Sequence, residues 1–282
     1  IRKENEALLK INKVGICGTD LHAYAGSQAF FTYPRILGHE LASEVLEIGE
    51  NPKGIKPGDK AVVMPYLSCG KCIACRNSKT NCCENISVLG VHRDGGMQEQ
   101  ITVPVDILLP ANHLTDLQMV IVEPLAIGAH AIKRANILSG ETIAVVGCGP
   151  IGIGIIKLAE IAGAKVIAID TNEHRLQFAK DKIGVDYIVK AGENAIKEVI
   201  EITHGDLCTA VFDASGNKNA LETGPNYMSH GGRFVLVGLY KDVLTFSHPN
   251  VHAKEMTLMC SRNATTEDFL HVMGLLLSLI HI

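Results

Sequence analysis

The run Ile143-Ala-Val-Val-Gly-Cys-Gly-Pro-Ile-Gly152 is an apolar strand that empties into Gly-x-Gly-x-x-Gly and continues as a helix, and Asp170 closes the next apolar strand, Ile167-Ala-Ile-Asp. The three glycines have separate duties. Gly147 permits a tight turn, Gly149 lets the backbone come close to a pyrophosphate, and Gly152 lets the helix pack against the sheet. The N–H groups at the start of such a helix face the phosphates. Glycines between two buried elements could be no more than a turn, but here a strand precedes them, a helix follows, and an acid stands 18 residues past Gly152. Together these features predict a dinucleotide site. The Asp170 carboxylate suits the ribose hydroxyls and repels a 2′-phosphate, and Thr171, Asn172 and Glu173 supply no positive charge to offset that. NAD is therefore favoured over NADP. Pro150, Ile151 and Arg175 complete the candidate cofactor contacts.

Around this motif, strand and helix patterns alternate. A helix runs from Glu123 to about Ala135, followed by a strand at 142–147, a helix to Ala162, a strand at 165–169, a helix at 173–183 and a strand at 187–189. A helix at 194–203, a strand at 210–213, a helix at 217–229 and strands at 232–237 and 256–260 complete the series. This alternation predicts a doubly wound parallel sheet that is apolar on both faces. Residues 1 to about 120 instead show short strands broken by turn signals such as Asn51-Pro-Lys-Gly, Lys56-Pro-Gly-Asp and Asp94-Gly-Gly, which predict a mainly β domain. The expected division is an α/β chain with a β domain at 1–121 and a nucleotide domain at 122–262. Thr265 or Thr266 caps a last helix, whose early acids suit the helix dipole.

A chain of 282 residues, 47% hydrophobic, is long enough for two domains with separate cores. No apolar run approaches the roughly 20 residues needed to cross a bilayer. The 30 acidic and 26 basic residues are interspersed, which removes the electrostatic footprint of a nucleic-acid binder. Nine cysteines, an odd number, suit metal ligation and a reducing cytoplasm better than a disulfide framework. The chain begins inside a strand with no methionine, which predicts that residues precede it. Residues 277–282 read as the in-frame translation of a sequencing-library transposon end and are set aside from the fold reasoning.

Two constellations point to metals. Cys69, Cys72, Cys75 and Cys83 form Cys-x2-Cys-x2-Cys-x7-Cys in a polar loop, a spacing that lets one segment wrap four thiolates around a tetrahedral zinc ion. Four thiolates leave no position for substrate, so this site is structural. Cys82 is left as a spare thiol, and Cys148, Cys208 and Cys260 read as small core residues. The second constellation, Gly15-Ile-Cys17-Gly-Thr19-Asp20-Leu-His22 with Leu37-Gly-His39-Glu40, mixes a thiolate, an imidazole and a carboxylate, as catalytic zinc sites do, although a Cys and a His 22 residues apart are, taken alone, more often unrelated core and surface residues.

Taken jointly, Gly-Ile-Cys-Gly-Thr-Asp-x-His, Gly-His-Glu, the four-cysteine loop, Glu-Pro at 123–124 and the glycine motif resemble the zinc-containing medium-chain dehydrogenase/reductase family over nearly the whole chain. Within it, Phe31-Thr-Tyr-Pro-Arg-Ile-Leu-Gly-His-Glu40 and Cys260-Ser-Arg-Asn-Ala-Thr265 resemble the sorbitol and threonine dehydrogenase branch, especially bacterial sugar-acid dehydrogenases acting on L-galactonate or L-gulonate. The resemblance implies a GroES-like β domain beside a Rossmann domain with the active site in the cleft, and a return to the β domain over 263–282. It implies two zinc ions per chain, with Cys17 and His39 as catalytic ligands and Glu40 or Glu123 as the third. It also implies that Thr19 takes the hydroxyl proton and relays it through the cofactor ribose toward His22, while Asp20 orients a ligand. Val237, Gly238 and Leu239 would lie beside the nicotinamide, and Arg262 and Asn263 would approach the substrate, where a guanidinium suits a carboxylate.

The expected activity is hydride transfer from a secondary alcohol of a sugar acid, polyol or hydroxy amino acid to NAD, by a cytoplasmic homodimer or homotetramer acting without nucleic acid or membrane. The rival expectation is a zinc-stabilised dinucleotide-binding regulatory protein without turnover, which would have little use for Cys17, His39 and an adjacent proton relay. A zinc-ribbon nucleic-acid module is opposed by charge and length.

Overall fold

Burial alternates over the first residues of Glu6–Gly15 (β1), where Ala7 and Leu9, two apart and so on one face, have zero exposure. The computed structural model describes residues 4–28 and 31–278. Its contacts divide into one unit of Ile1–Ala126 with Asn263–Ile282 and a second of Ile127–Arg262.

In the first unit, β1 leads into a short helix, Gly18–Tyr24 (α1), and then Glu40–Ile48 (β2), Lys60–Val63 (β3) and Tyr66–Leu67 (β4). The helical turn Ile73–Arg76 (α2) and the strand Ser87–Val88 (β5) follow, then Gln100–Pro104 (β6) and Leu108–Pro110 (β7). Five of these strands form a sheet in the order β6-β1-β2-β3-β7, every pair antiparallel. Leu9, Leu41, Val45, Ala61, Val63 and Leu108 pack inside it. β4 and β5 pair separately and close the base of the cysteine loop. The turn at 51–55 is held by Asn51, whose Oδ1 accepts from the Ile55 N–H while its Nδ2 donates to the Ile55 carbonyl.

The helix expected from Glu123 begins earlier, at Asp116, and runs to Ala135 (α3). Thr115 and Gln118 cap it reciprocally: the Thr115 N–H donates to Gln118 Oε1, and the Gln118 N–H donates to Thr115 Oγ1. Pro124 lies inside this helix, so a start at Glu123 was too late by two turns.

The second unit is a parallel sheet of six strands. It alternates Thr142–Val146 (β8), Pro150–Ile161 (α4), Lys165–Asp170 (β9), Glu173–Phe178 (α5), Tyr187–Lys190 (β10) and Ala195–Ile202 (α6). It continues with Cys208–Asp213 (β11), Lys218–Thr223 (α7), Met228–Leu236 (β12), His248–Ala253 (α8) and Thr257–Cys260 (β13). Ile143 and Val145 enter one core with Val166, Ala168 and Phe212, while Ala144 and Val146 enter the other with Ile167, Ile169 and Val211. Successive side chains thus fill opposite cores, which is why these strands read as continuous apolar runs. The strand order is β10-β9-β8-β11-β12-β13, reversing direction of addition between β8 and β11. In open α/β sheets the carboxyl ends at that reversal form the ligand crevice.

Two expectations are corrected here and one is refined. The helix predicted over 217–229 stops at Thr223, because Gly224–Tyr227 tightens into a 3-10 turn at Pro225, which lacks a backbone donor, and β12 then starts at Met228. The helix predicted over 173–183 keeps that span, but only Glu173–Phe178 is α-helical: Ala179–Ile183 widens into a π-helix, which Gly184 closes with φ +87°. Cys260 is exposed rather than a core residue, since β13 is the sheet's edge strand, whereas Cys148 and Cys208 are buried.

The chain returns to the first unit with Thr266–Ser278 (α9), whose first-turn Asp268 ties down the helix start by accepting from the N–H and the hydroxyl of Thr265. Of the segment set aside at 277–282, residues 279–282 lie outside the described residues.

Candidate active site

The β1–β2 register pairs Gly15 with Glu40 and so brings residues just past the end of β1 beside those at the start of β2. One donor atom each from Cys17, His39 and Glu40 lies within 4.8 Å of the others. A Cβ on Gly15 would stand 2.1 Å from Glu40 Oε2, so only glycine leaves room for that carboxylate. His39 is held by a cluster of bare backbone. Gly38 has φ +97°, and a Cβ on Gly95 would lie 2.2 Å from the Gly38 carbonyl oxygen, while one on Gly90 would lie 2.9 Å from the Gly38 nitrogen.

Asp20 ties the two segments together. Its Oδ2 accepts from the Cys17 N–H at 2.9 Å, and its Oδ1 accepts from the Gly38 N–H at 3.3 Å. The same Oδ1 stands 3.7 Å from His39 Nδ1, longer than a hydrogen bond, and that nitrogen is buried without a partner. Asp20 is therefore both a helix-start cap and a neighbour of a candidate ligand. The N–H and hydroxyl of Thr19 reach the Cys17 sulfur. His22 is exposed on α1, with Nδ1 3.3 Å from Ser27 Oγ.

Glu123, on α3, is buried beside this cluster but outside the mutual 4.8 Å set. Its Oε1 accepts a hydrogen bond from the hydroxyl of Tyr66, a residue that sequence reasoning missed. β4 is two residues long, too short for alternation to mark Tyr66 as inward-facing. Burial, then Glu123 and Glu40, push the Cys17 thiol up to about 12 against the Thr19 donors. Burial and Glu123 push Glu40 up to about 7, and burial raises Glu123. A half-buried thiol and two buried carboxyls that resist separate ionisation, beside an unpartnered imidazole nitrogen, are a donor set that fits a divalent cation.

The four-cysteine loop is a second donor set, with the sulfurs of Cys69, Cys72, Cys75 and Cys83 all within 4.8 Å of one another. The N–H groups of Lys71 and Cys72 hold Cys69 down to about 6, and those of Cys75 and Glu84 lower Cys72, while burial pushes Cys75 up to about 11. Cys82 is exposed outside the cluster. Asn263, in a left-handed conformation at φ +52°, donates its Nδ2 to the Asn81 carbonyl of this loop, so that amide nitrogen is engaged within the first unit. Arg262, in the second unit, is exposed.

In the second unit the glycine turn stands at the β8–β11 reversal. A Cβ on Gly152 would lie 1.7 Å from the Gly147 carbonyl oxygen, and one on Gly147 would lie 2.8 Å from the Ser215 nitrogen. One on Gly149 would meet nothing within 4 Å. The first and third glycines are thus demanded by the protein's own packing. The second, which caps α4 ahead of Pro150 and Ile151, keeps open space over the helix start, as a pyrophosphate requires. Asp170 is buried, accepting from the Cys148 N–H at 2.6 Å and the Asn172 N–H at 2.8 Å, with Arg175 Nη1 at 4.0 Å. Val237 and Gly238 donate their N–H groups to the Asp213 carbonyl at the end of β11, and Leu239 is exposed.

Residues 3–113 match the alcohol dehydrogenase GroES-like domain, and residues 150–278 match the zinc-binding dehydrogenase family. L-galactonate-5-dehydrogenase of Escherichia coli (strain K12) is 45% identical over 269 residues, covering 95% of this chain and 79% of that protein. L-threonine 3-dehydrogenase of Pyrococcus horikoshii is 36% identical over 257 residues, covering 87% and 72%. The crystal structure of an alcohol dehydrogenase from Escherichia coli CFT073 complexed with NADH aligns with TM-score 0.90 at 29% identity, covering 98% of this chain and 81% of that one. These likenesses favour an enzyme over a regulatory protein without turnover. The chain belongs to the zinc-type alcohol dehydrogenases, GroES-like and Rossmann-fold oxidoreductases that use zinc and a nicotinamide dinucleotide.

Proposed function

We propose that this dehydrogenase oxidises a secondary alcohol of a sugar acid to a ketone with NAD, using Cys17, His39 and Glu40 to hold a catalytic zinc ion and the four-cysteine loop to hold a structural one. The observation that carries the reading is the convergence of sulfur, imidazole and carboxylate donors within 4.8 Å. In this reading residues 1–121 are the catalytic domain, 122–262 the NAD-binding domain, and 263–282 return to the former. The preference for sugar acids is supported by the relative named L-galactonate-5-dehydrogenase. Asp170 supports NAD over NADP, because a buried carboxylate at the ribose end repels a 2′-phosphate.

When bound, zinc supplies an electrophile for the alcohol oxygen and NAD supplies the hydride acceptor. The residues of the chain do the rest. Asp20 fixes the backbone on both sides of the candidate ligands through the Cys17 and Gly38 N–H groups. The Thr19 hydroxyl would accept the proton of the substrate hydroxyl as its own passes on toward His22, which stands on the exposed face of α1 and would release one proton to water. Arg262 is the candidate partner for a substrate carboxylate, with Asn263 fixing the adjacent chain through Asn81. Val237, Gly238 and Leu239, anchored on Asp213, are candidates to flank the nicotinamide.

The same reading is of a cytoplasmic homodimer or homotetramer that works without membrane or nucleic acid. Interspersed charges support the part of it that concerns nucleic acid, and among the described residues no helix is long and apolar enough to cross a membrane. A screen following NADH absorbance against L-galactonate, L-gulonate, unsubstituted polyols and L-threonine tests the substrate class. A sugar acid is expected to give the highest kcat/KM. Preference for threonine or a polyol by about tenfold, or 1.4 kcal/mol of transition-state binding, would reject it.

A further inference from the structure

Two glutamates reach the same site from different elements, Glu40 from the start of β2 and Glu123 from α3. Their surroundings differ. Glu40 fills the space left by the missing side chain of Gly15 and shares the 4.8 Å donor set with Cys17 and His39. Glu123 is drawn to the Tyr66 hydroxyl. Tyr66 and Glu123 are 6% and 5% exposed, so neither has ready recourse to water. A buried hydroxyl and a buried carboxyl each cost free energy unless hydrogen-bonded, and here each provides the other's partner. The phenol ring is fixed in turn. It stands edge-on to Phe269 at 6.1 Å between centroids and 78° between planes, and Phe269 is fully buried on α9.

We propose that Tyr66 is a positioning residue whose hydroxyl holds Glu123 back from the donor cluster, so that Glu40 rather than Glu123 joins Cys17 and His39 on the cation. The inference rests on the reading of Cys17 and His39 as ligands. It gives Tyr66 a role in selecting between two carboxylates of equal charge. It also makes a specific claim about Glu123, which becomes a competent donor once the phenol releases it.

A double-mutant cycle on the full chain tests this, read as the zinc dissociation constant of the site in competition with a chromophoric chelator. In the parent, Glu40→Gln is expected to weaken zinc binding by about tenfold or more, and Glu123→Gln by less than about threefold. In a Tyr66→Phe background the Glu40→Gln loss is expected to shrink by at least about threefold, because Glu123 takes the vacated role. Tyr66→Phe keeps the ring against Phe269, and an unchanged far-UV spectrum confirms that it folds. Adding Glu123→Gln to Tyr66→Phe with Glu40→Gln should abolish the rescue. A Glu40→Gln loss that is the same in both backgrounds, or a Glu123→Gln loss as large as that of Glu40→Gln, would overturn the role of Tyr66. Cys17→Ser separates the two readings: if it keeps both zinc ions the ligand assignment itself fails, and if it loses one while the cycle is additive only the Tyr66 inference fails.

Discussion

The four-cysteine loop takes every donor from residues 69–83, whereas the mixed cluster takes its donors from residues 17, 39 and 40, with Tyr66 and Glu123 alongside. One site is written in local spacing and the other exists only after β1 has paired with β2. They also differ in how charge is prepared. Backbone N–H groups aimed at Cys69 and Cys72 favour their thiolates, while burial pushes only Cys75 of that loop the other way, up to about 11. At the mixed cluster burial dominates and pushes Cys17 up to about 12 and Glu40 up to about 7. Four thiolates outweigh a divalent charge and fill the coordination shell, which suits a staple. One thiolate, one carboxylate and a neutral imidazole only balance it and leave a position open, which suits an electrophile.

That contrast can be broken most forcefully by exchanging a ligand in each site. Cys17→Ser should remove turnover by about a thousandfold or more and one of the zinc ions, with NAD binding retained and Tm nearly unchanged. Cys83→Ser should do the reverse, lowering Tm by roughly 5 °C or more as the loop loosens while a larger share of turnover survives. Equal effects of the two substitutions on turnover and on Tm would erase the distinction between the sites.

Gly15→Ala tests the dependence on fold with an expected effect between about ten- and a hundredfold on kcat/KM. The added Cβ would lie 2.1 Å from Glu40 Oε2 and must displace a candidate ligand, and the four-cysteine site should keep its zinc. Unaltered kinetics would mean that Glu40 has no part in holding the metal. The smallest effect is expected at the cofactor turn. Asp170→Ala should narrow the preference for NAD over NADP by about tenfold, measured as the ratio of kcat/KM values. An unchanged ratio would place the ribose elsewhere.

The same division between local and distributed explains what could be read from the sequence. The glycine turn, Asp170 and the four cysteines were legible because each motif is a short segment whose spacing is its geometry. Cys17 and His39 were readable only through family resemblance, since nothing in a separation of 22 residues brings a thiol to an imidazole until strands pair. Gly15, Gly90 and Gly95 matter through what their missing side chains admit, and that is visible only when another backbone lies against them. Tyr66 carried no periodic signal, and the start of α3 was missed because its capping pair, Thr115 and Gln118, lies ahead of the apolar stripe. The α7 boundary was different, because Gly224 and Pro225 do mark it in the sequence: two poor helix formers in succession stop the helix at Thr223, and the strand begins at Met228.

The most direct test of the central claim is anomalous diffraction at the zinc edge from crystals of the zinc-loaded chain. Two peaks are expected, one among the sulfurs of Cys69, Cys72, Cys75 and Cys83 and one in contact with the Cys17 sulfur and a His39 nitrogen. A single peak in the cysteine loop, or a second peak away from Cys17 and His39, would contradict the account.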